Sequence, residues 1–183
     1  MSYEHDQDDI WPHMPFLEEC ASKAGIIIEI GVGHGNGSTR AFARGLERST
    51  AEFKLHVGVD IDPERPQLKP RYPYWREIHG PSEDKTTVAQ VAGILWQASR
   101  LSDDADIIFI DTAHTYEQMK KELPLWEPFT GPITLWIFHD TWMNGEYNHM
   151  TDAIKEFAAA HGWEYEDYSK ESHGLGLMRR KCS

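Results

Sequence analysis

The sequence predicts an α/β fold, a doubly wound and mostly parallel seven-stranded sheet that ends in an antiparallel C-terminal pair. Three observations predict it. β-branched apolar runs alternate with amphipathic helical stretches, the pattern of helices wound around a parallel sheet. The first run, Ile26-Ile27-Ile28-Glu29-Ile30, is nearly continuous, as in strands buried on both faces. The segments that follow the strands hold glycines and ionisable residues, where open parallel sheets receive ligands.

The elements follow in order. Pro12 to Ala24 reads as a helix with Phe16, Leu17 and Cys20 on one side, stopped by Gly25. Ile26–Ile30 is the first strand. Gly31 to Gly37 is a glycine-rich turn into a helix over Ser38–Arg48, with Ala41, Phe42 and Leu46 inward. Leu55–Asp60 is a strand ending in an acid, and Pro63, Pro66, Pro70 and Pro73 break the chain after it. A weaker strand covers Trp75–His79, and a helix covers Glu83–Arg100 on the stripe Val88, Val91, Ala92 and Leu95. Asp106–Asp111 is a strand between two acids, Tyr116–Trp126 a helix, and Thr130-Gly131-Pro132 a turn. Ile133–Phe138 is a strand leading into His139-Asp140. A helix over Met150–Ala160 stops at Gly162, and Trp163–Tyr168 with Leu175–Arg179 form the closing antiparallel pair.

The chain has 183 residues, 40% hydrophobic and 26% charged, which suits one domain over 1–183 with residues 1–10 frayed. Its net charge is -12, with 30 acids against 18 bases, so nucleic acid is not an expected partner. Arg40, Arg44 and Arg48, and Arg179, Arg180 and Lys181, read as solvated faces. No apolar run approaches the ~20 residues of a membrane span. Met1–Asp9 is acidic, unlike a secretion signal, and Cys20 and Cys182 read as free thiols. A cytoplasmic location is expected. His5, His13, His149, His161 and His173 read as structural or surface residues, and Trp126, Trp136 and Trp163 as core.

Two constellations carry chemistry. In Glu29-Ile30-Gly31-Val32-Gly33-His34-Gly35, glycines permit close backbone approach to a ligand, and a helix N-terminus follows. The run lacks the Gly-Lys-Ser/Thr of a phosphate loop, and Asn36 stands where the dinucleotide fingerprint needs its last glycine. Asp60, at the next strand end, suits two ribose hydroxyls or a turn cap. The pairing leaves S-adenosylmethionine and a nicotinamide cofactor both open. In the second constellation Asp111, His114, His139 and Asp140 leave two successive strand ends. They fit a divalent cation that polarises a hydroxyl, with histidine as base, or a metal-free histidine base.

The Glu29–Gly35 run resembles motif I of class I S-adenosylmethionine-dependent methyltransferases, and the element order over residues 25–180 is similar to that Rossmann-like fold. The resemblance implies cofactor contacts at Glu29, Gly31, Gly33, Gly35, Ser38, Asp60, Ile61, Ser82 and Asp111, with Ser82 and Glu83 near adenine. Asp111-Thr112-Ala113-His114-Thr115-Tyr116-Glu117 is similar to the form Asp-Gly-Asp-His-Ser-Tyr-Glu of the macrocin and glycoside O-methyltransferases and their cephalosporin-hydroxylase-like relatives. It agrees at the first, fourth, sixth and seventh positions. This implies catalysis by His114, with His139 as a second catalytic histidine, and metal ligation by Asp111, His139 and Asp140. His139 departs from the magnesium-dependent members, which have an acid there. The implied ion is magnesium, or another metal if His139 ligates, since imidazole suits zinc, iron or nickel better.

The expected function is O-methylation of a hydroxyl on a small molecule or sugar, assisted by a divalent metal if one binds. A nicotinamide oxidoreductase and a non-catalytic S-adenosylmethionine-binding protein are the alternatives. Trp142 and Tyr147 are expected to wall the substrate. Material for a lid is confined to residues 1–15, 62–75 and 142–149, so the cleft is expected to stand open or to be covered by a second subunit of a homo-oligomer.

Overall fold

The computed structural model of the chain describes residues 9–62, 72–99, 104–143 and 146–181. Five parallel strands come first in chain order: β1 (Ile26–Ile30), β2 (Leu55–Asp60), β3 (Trp75–His79), β4 (Ala105–Ile110) and β5 (Thr130–His139). A short hairpin, β6 (Trp142–Met143) and β7 (Glu146–Tyr147), stands apart. The chain closes with β8 (Trp163–Ser169) and β9 (Leu175–Arg180). Among the described residues seven strands form the main sheet, in the order β3-β2-β1-β4-β5-β9-β8, with β9 antiparallel to both its neighbours. The order reverses between β1 and β4, and that reversal opens a crevice at their carboxyl ends.

Among the described residues five helices cover the sheet: α1 (Met14–Ala21), α2 (Ser38–Arg48), α3 (Lys85–Ser99), α4 (Tyr116–Trp126) and α5 (Met150–His161). Side chains alternate across a strand, so the sheet feeds two cores. Ile28, Ile30, Val57, Ile108 and Phe138 pack under α3, α4 and α5 with Val91, Leu123 and Ile154. Ile27, Phe109 and Ile137 pack under α1 and α2 with Leu17, Phe42 and Leu46. Trp126, Trp136 and Trp163 are core residues, as their setting in the sequence implied. No described helix is long and apolar enough to cross a membrane.

Three local expectations are corrected. The stretch from Pro12 is a 3-10 turn, Trp11–His13, before α1 begins at Met14 and ends at Ala21. Thr130-Gly131-Pro132 belongs to β5 instead of forming a turn. Gly131 N–H donates to Thr134 Oγ1 at 2.8 Å, and the β4–β5 register shifts between Ala105 and Ile107. Within residues 1–10, expected to fray, Ile10 is buried in the α1–α2 core. Pro63, Pro66 and Pro70 lie outside the described residues.

One polar group is embedded behind the site. Glu29 points to the α2 side of the sheet and is fully buried. Ser38 Oγ and Thr39 Oγ1 donate to its Oε1 at 2.6 and 2.9 Å, and His56 Nε2 donates to its Oε2 at 2.8 Å. These bonds tie the start of α2 to β1 and β2. Glu29→Ala strands three buried polar groups, each costing ~1–3 kcal/mol when left unsatisfied. The variant is expected to lose ~2–5 kcal/mol of unfolding free energy in urea titration. A loss below ~1 kcal/mol would contradict this arrangement.

Candidate active site

The turn after β1 depends on glycine. Gly31 has φ +84°, and a Cβ there would collide with the Asp111 carbonyl, so the tips of β1 and β4 meet at backbone contact. Gly33 has φ +54°, and nothing lies within 4 Å of where its Cβ would stand. Asp60, at the tip of β2, holds this turn. Its Oδ2 accepts from Val32 N–H at 2.9 Å and Gly33 N–H at 3.4 Å, and its Oδ1 accepts from Asp62 N–H at 2.8 Å.

A cleft of about 330 Å³ opens over these strand ends. Of the expected cofactor residues, Gly31, Asp60, Ile61, Ser82 and Asp111 line it. Gly33 lies exposed in the turn and Gly35 is buried within it. Glu29 and Ser38 do not line the cleft. They bond each other beneath the turn, because Glu29 faces α2 and not the strand ends. Among the described residues the lining contributes carboxylates from Asp60, Glu83 and Asp111, and no lysine or arginine.

One wall was missed in the sequence. Gln118 lines the cleft, and its Nε2 donates to Glu122 Oε1 at 2.8 Å and to Glu83 Oε2 at 3.1 Å. Ser82 Oγ also donates to Glu122, and Thr112 Oγ1 does so at 2.9 Å. Burial pushes the Glu122 carboxyl up, against the pull of these bonds. The available signal was spacing, since Gln118 and Glu122 are four apart and share a face of α4. Thr115 starts that helix, its Oγ1 accepting from Gln118 N–H at 3.2 Å.

The four ionisable groups expected to converge do so at the tips of β4 and β5. His114 Nε2 donates to Asp111 Oδ1 at 3.1 Å and lies 2.7 Å from Asp140 Oδ2. His139 Nδ1 is 3.5 Å from Asp111 Oδ1 and 3.2 Å from Asp140 Oδ2, facing both charges without hydrogen-bond alignment. Burial disfavours a charged His114, but bonds and charges from Asp111 and Asp140 outweigh it and raise the pKa to about 9. Burial opposes a charged His139 too, but the carboxylates of Asp111 and Asp140 facing Nδ1 outweigh it and raise the pKa to about 10. Burial would raise both carboxyls, yet the two imidazoles hold Asp111 and Asp140 below the usual range.

Two histidines set aside as structural or surface belong to this region. His173 Nδ1 lies 3.0 Å from Asp140 Oδ1 and 2.7 Å from Asp9 Oδ2. His13 is buried, its Nε2 donating to the Glu171 carbonyl at 3.0 Å, with its ring edge-on to His139 at 6.0 Å. His149 and His161 do lie on the surface, paired with Asp152 and Glu127; His5 lies outside the described residues. Asp111, His114 and Asp140 bring ligand atoms within 4.8 Å of one another, and Asp9, His139 and Asp140 form a second such group. The expected metal set is thus divided between two groupings that share Asp140. Trp142 and Tyr147, the expected substrate wall, are a cross-strand pair of the β6–β7 hairpin, rings 5.8 Å apart. Asn148 Nδ2, just beyond it, donates to the Asp140 carbonyl at 2.9 Å.

Residues 28–141 match the sequence profile of a family described as a methyltransferase domain. No match was found among curated protein sequences. Several solved structures share the fold. CalS11, a TDP-rhamnose 3'-O-methyltransferase of calicheamicin biosynthesis, superposes with TM-score 0.65 at 17% identity, over 97% of this chain and 80% of its own. PaMTH1, an S-adenosylhomocysteine-bound methyltransferase from Podospora anserina, gives 0.64 at 15% identity, over 93% and 78%. MycE, from the mycinamycin pathway and solved with Mg, S-adenosylhomocysteine and mycinamycin VI, gives 0.63 at 17% identity. That match covers 92% of this chain and 48% of MycE.

The imidazole–carboxylate pairs set a pH dependence. Both histidines have folded pKa values above the ordinary 6.5. Their stabilisation is therefore complete below about pH 6.5 and is lost as pH rises through about 9 to 10. For chelator-treated protein, the thermal midpoint is expected to fall across that upper window. The fall is expected to be smaller in Asp140→Asn, and an equal fall in both proteins would refute the pairing.

Proposed function

Since the chain belongs to the methyltransferase-domain family, we propose that it is an S-adenosylmethionine-dependent O-methyltransferase acting on a small hydroxylated molecule, a sugar being one such substrate. Asp111 carries this reading. It lines the cleft and bonds His114, so a cofactor in the cleft would lie beside the imidazole–carboxylate cluster. The cleft's charge favours a cationic sulfonium. A nicotinamide dinucleotide would bring its diphosphate among the carboxylates of Asp60, Glu83 and Asp111, with no lysine or arginine among the described lining residues. A cluster of four ionisable groups beside the cleft speaks for catalysis over binding alone. CalS11, an O-methyltransferase of a nucleotide sugar, and MycE, solved with Mg, lend the reading support.

The chain's own residues divide the work. Gly31 and the turn beyond it would receive the methionine part, Asp60 the ribose, and Ser82, Glu83 and Gln118 the adenine. The acceptor oxygen forms a bond to the methyl carbon as the carbon–sulfur bond breaks, and the sulfonium leaves as a neutral thioether. The hydroxyl proton passes to His114 through the ring nitrogen that Asp111 and Asp140 do not engage, and the two carboxylates, bonded at Nε2, stabilise the imidazolium formed. With a pKa near 9, neutral His114 is a strong base, and its population grows about tenfold per pH unit below that value. Asp111 and Asp140 are hard oxygen donors close enough to hold magnesium or another divalent ion. Such an ion would supply Lewis acidity favouring the acceptor alkoxide. Trp142 and Tyr147 would flank the acceptor.

Two variants test the roles. His114→Ala is expected to lower methyl release to hydroxylated acceptors, nucleotide sugars included, at least ~100-fold while cofactor affinity persists. Near-normal turnover would remove His114 from the mechanism. Asp60→Ala is expected to weaken S-adenosylmethionine binding at least ~10-fold in calorimetry. An unchanged dissociation constant would reject the ribose role, and tighter binding of NAD than of S-adenosylmethionine would reject the whole reading.

A further inference from the structure

Glu122 is fully buried and does not line the cleft, yet three residues that do line it bond to its carboxylate. Oε1 accepts from Gln118 Nε2 at 2.8 Å and from Ser82 Oγ, and Oε2 accepts from Thr112 Oγ1 at 2.9 Å. The three donors come from α4, from the loop after β3 and from the segment after β4. The Ser82 backbone is fixed as well, since its carbonyl accepts from Trp126 Nε1 at 3.0 Å. Methyl transfer itself makes no use of this buried carboxylate.

Its effect falls on the polarity of the wall. Thr115-Tyr116-Glu117-Gln118 has the form of a capping box, in which the glutamine side chain accepts from the threonine N–H. Here that N–H donates to the Ala113 carbonyl instead. The Gln118 amide turns to the cleft, where Nε2 meets Glu122 Oε1, Glu83 Oε2 at 3.1 Å and Ser82 Oγ at 3.4 Å. Its two N–H bonds are thereby engaged, while Oε1 accepts from no described group. Turning the amide over would press Oε1 against two carboxylates, so charge fixes its orientation. The hydroxyl protons of Ser82 and Thr112 also point to Glu122, which leaves their oxygens able only to accept.

We propose that Glu122, by engaging the donor protons of Ser82, Thr112 and Gln118, makes this wall an acceptor surface and selects a 6-aminopurine cofactor over its 6-oxo counterpart. The inference rests on the S-adenosylmethionine reading and deepens it. Ser82 and Glu83 follow β3, the edge strand next to β2, so the wall stands beyond the ribose position at Asp60. Ile61 and Pro81 supply apolar surface for a planar base. The exocyclic amine of adenine donates, and the free Gln118 Oε1 accepts. A 6-oxo group is itself an acceptor and would set oxygen against oxygen. A site built for one hydrogen-bond polarity rejects the opposite one, because a polar group is then left unpaired. Glu122 touches no cofactor in this arrangement and is a positioning residue.

The test is calorimetric binding of S-adenosylhomocysteine and of its deaminated form, S-inosylhomocysteine, to the full chain. The wild type is expected to favour the adenosyl form at least ~10-fold. Gln118→Leu, at a half-buried position, and Glu122→Gln, which keeps the side-chain shape, are each expected to shrink that preference at least ~3-fold. A merely structural role for Glu122 would weaken both ligands alike and leave their ratio unmoved. Equal affinity of the wild type for the two ligands would overturn the proposal. So would an undiminished preference in Gln118→Leu, which keeps the test open if Glu122→Gln does not fold, or in folded Glu122→Gln. Equal binding of both ligands leaves the proposed function standing, whereas no binding of S-adenosylhomocysteine would refute that function and this inference with it.

Discussion

The site exists because β1 and β4 touch end to end without a side chain between them. Gly31 leaves room for the Asp111 carbonyl, and any Cβ would drive the two tips apart. The ladder continues on either side of that contact. Asp111 N–H donates to the Ile30 carbonyl at 2.8 Å and Gly31 N–H to the Val59 carbonyl at 2.9 Å. Tips of β2, β1 and β4 therefore end at one level, where the strand order reverses. A residue leaving β4 there faces both the glycine turn and whatever leaves β5. Asp111 can line the cleft and hold His114 for that reason, and cofactor and acid–base groups share one floor.

Charge then decides what the floor can accommodate. Isolated buried charges are prohibitively costly, and paired ones persist only with close partners. At the β4–β5 tips two carboxylates face two imidazoles at 2.7 to 3.5 Å. Glu29, under the turn, is satisfied differently, by two hydroxyls and His56. The first cluster reaches the cleft through Asp111, and its His114 is part-exposed. The second is sealed. Position relative to the strand end, and not residue type, separates the group available for chemistry from the group that braces the turn.

This distinction also marks what could be read from the sequence. The strands were legible because burial on both faces forces continuous runs such as Ile26–Ile30. The alternation of strands and helices then implied a parallel sheet covered on both faces, but not the order of its strands. Asp111, His114, His139 and Asp140 stood out because each directly follows such a run. Glu29 sits in the same motif as Gly31, and a linear motif does not show which way its side chain points. The start of β5 was hidden because Thr130, Gly131 and Pro132 have turn chemistry. There Thr134 Oγ1, which donates to the Ala105 carbonyl and accepts from Gly131, stands in for regular pairing. Asp9 and His173 lie in segments with no periodic signal, and His13 precedes the apolar stripe of the helix read over Pro12–Ala24, so only tertiary structure reveals their proximity to Asp140.

Backbone conformation explains why those three segments meet there. Positive φ at a residue with a side chain is uncommon and persists where surrounding contacts over-determine it. At the β5 tip those contacts are present. Asn148 binds the carbonyl of Asp140, and Trp142 N–H donates to the His173 carbonyl at 2.7 Å. Gly174, at φ +83°, lies so close to Trp142 that a Cβ would crowd it. The left-handed turn at Asp140 accompanies a carboxylate whose Oδ2 faces His114 and His139 and whose Oδ1 faces His173. An extended backbone at Asp140 would carry the chain on along β5 and re-aim that side chain. The strained residue is thus the joint between the imidazole cluster and the amino-terminal segment, and its geometry is held by neighbours on both sides.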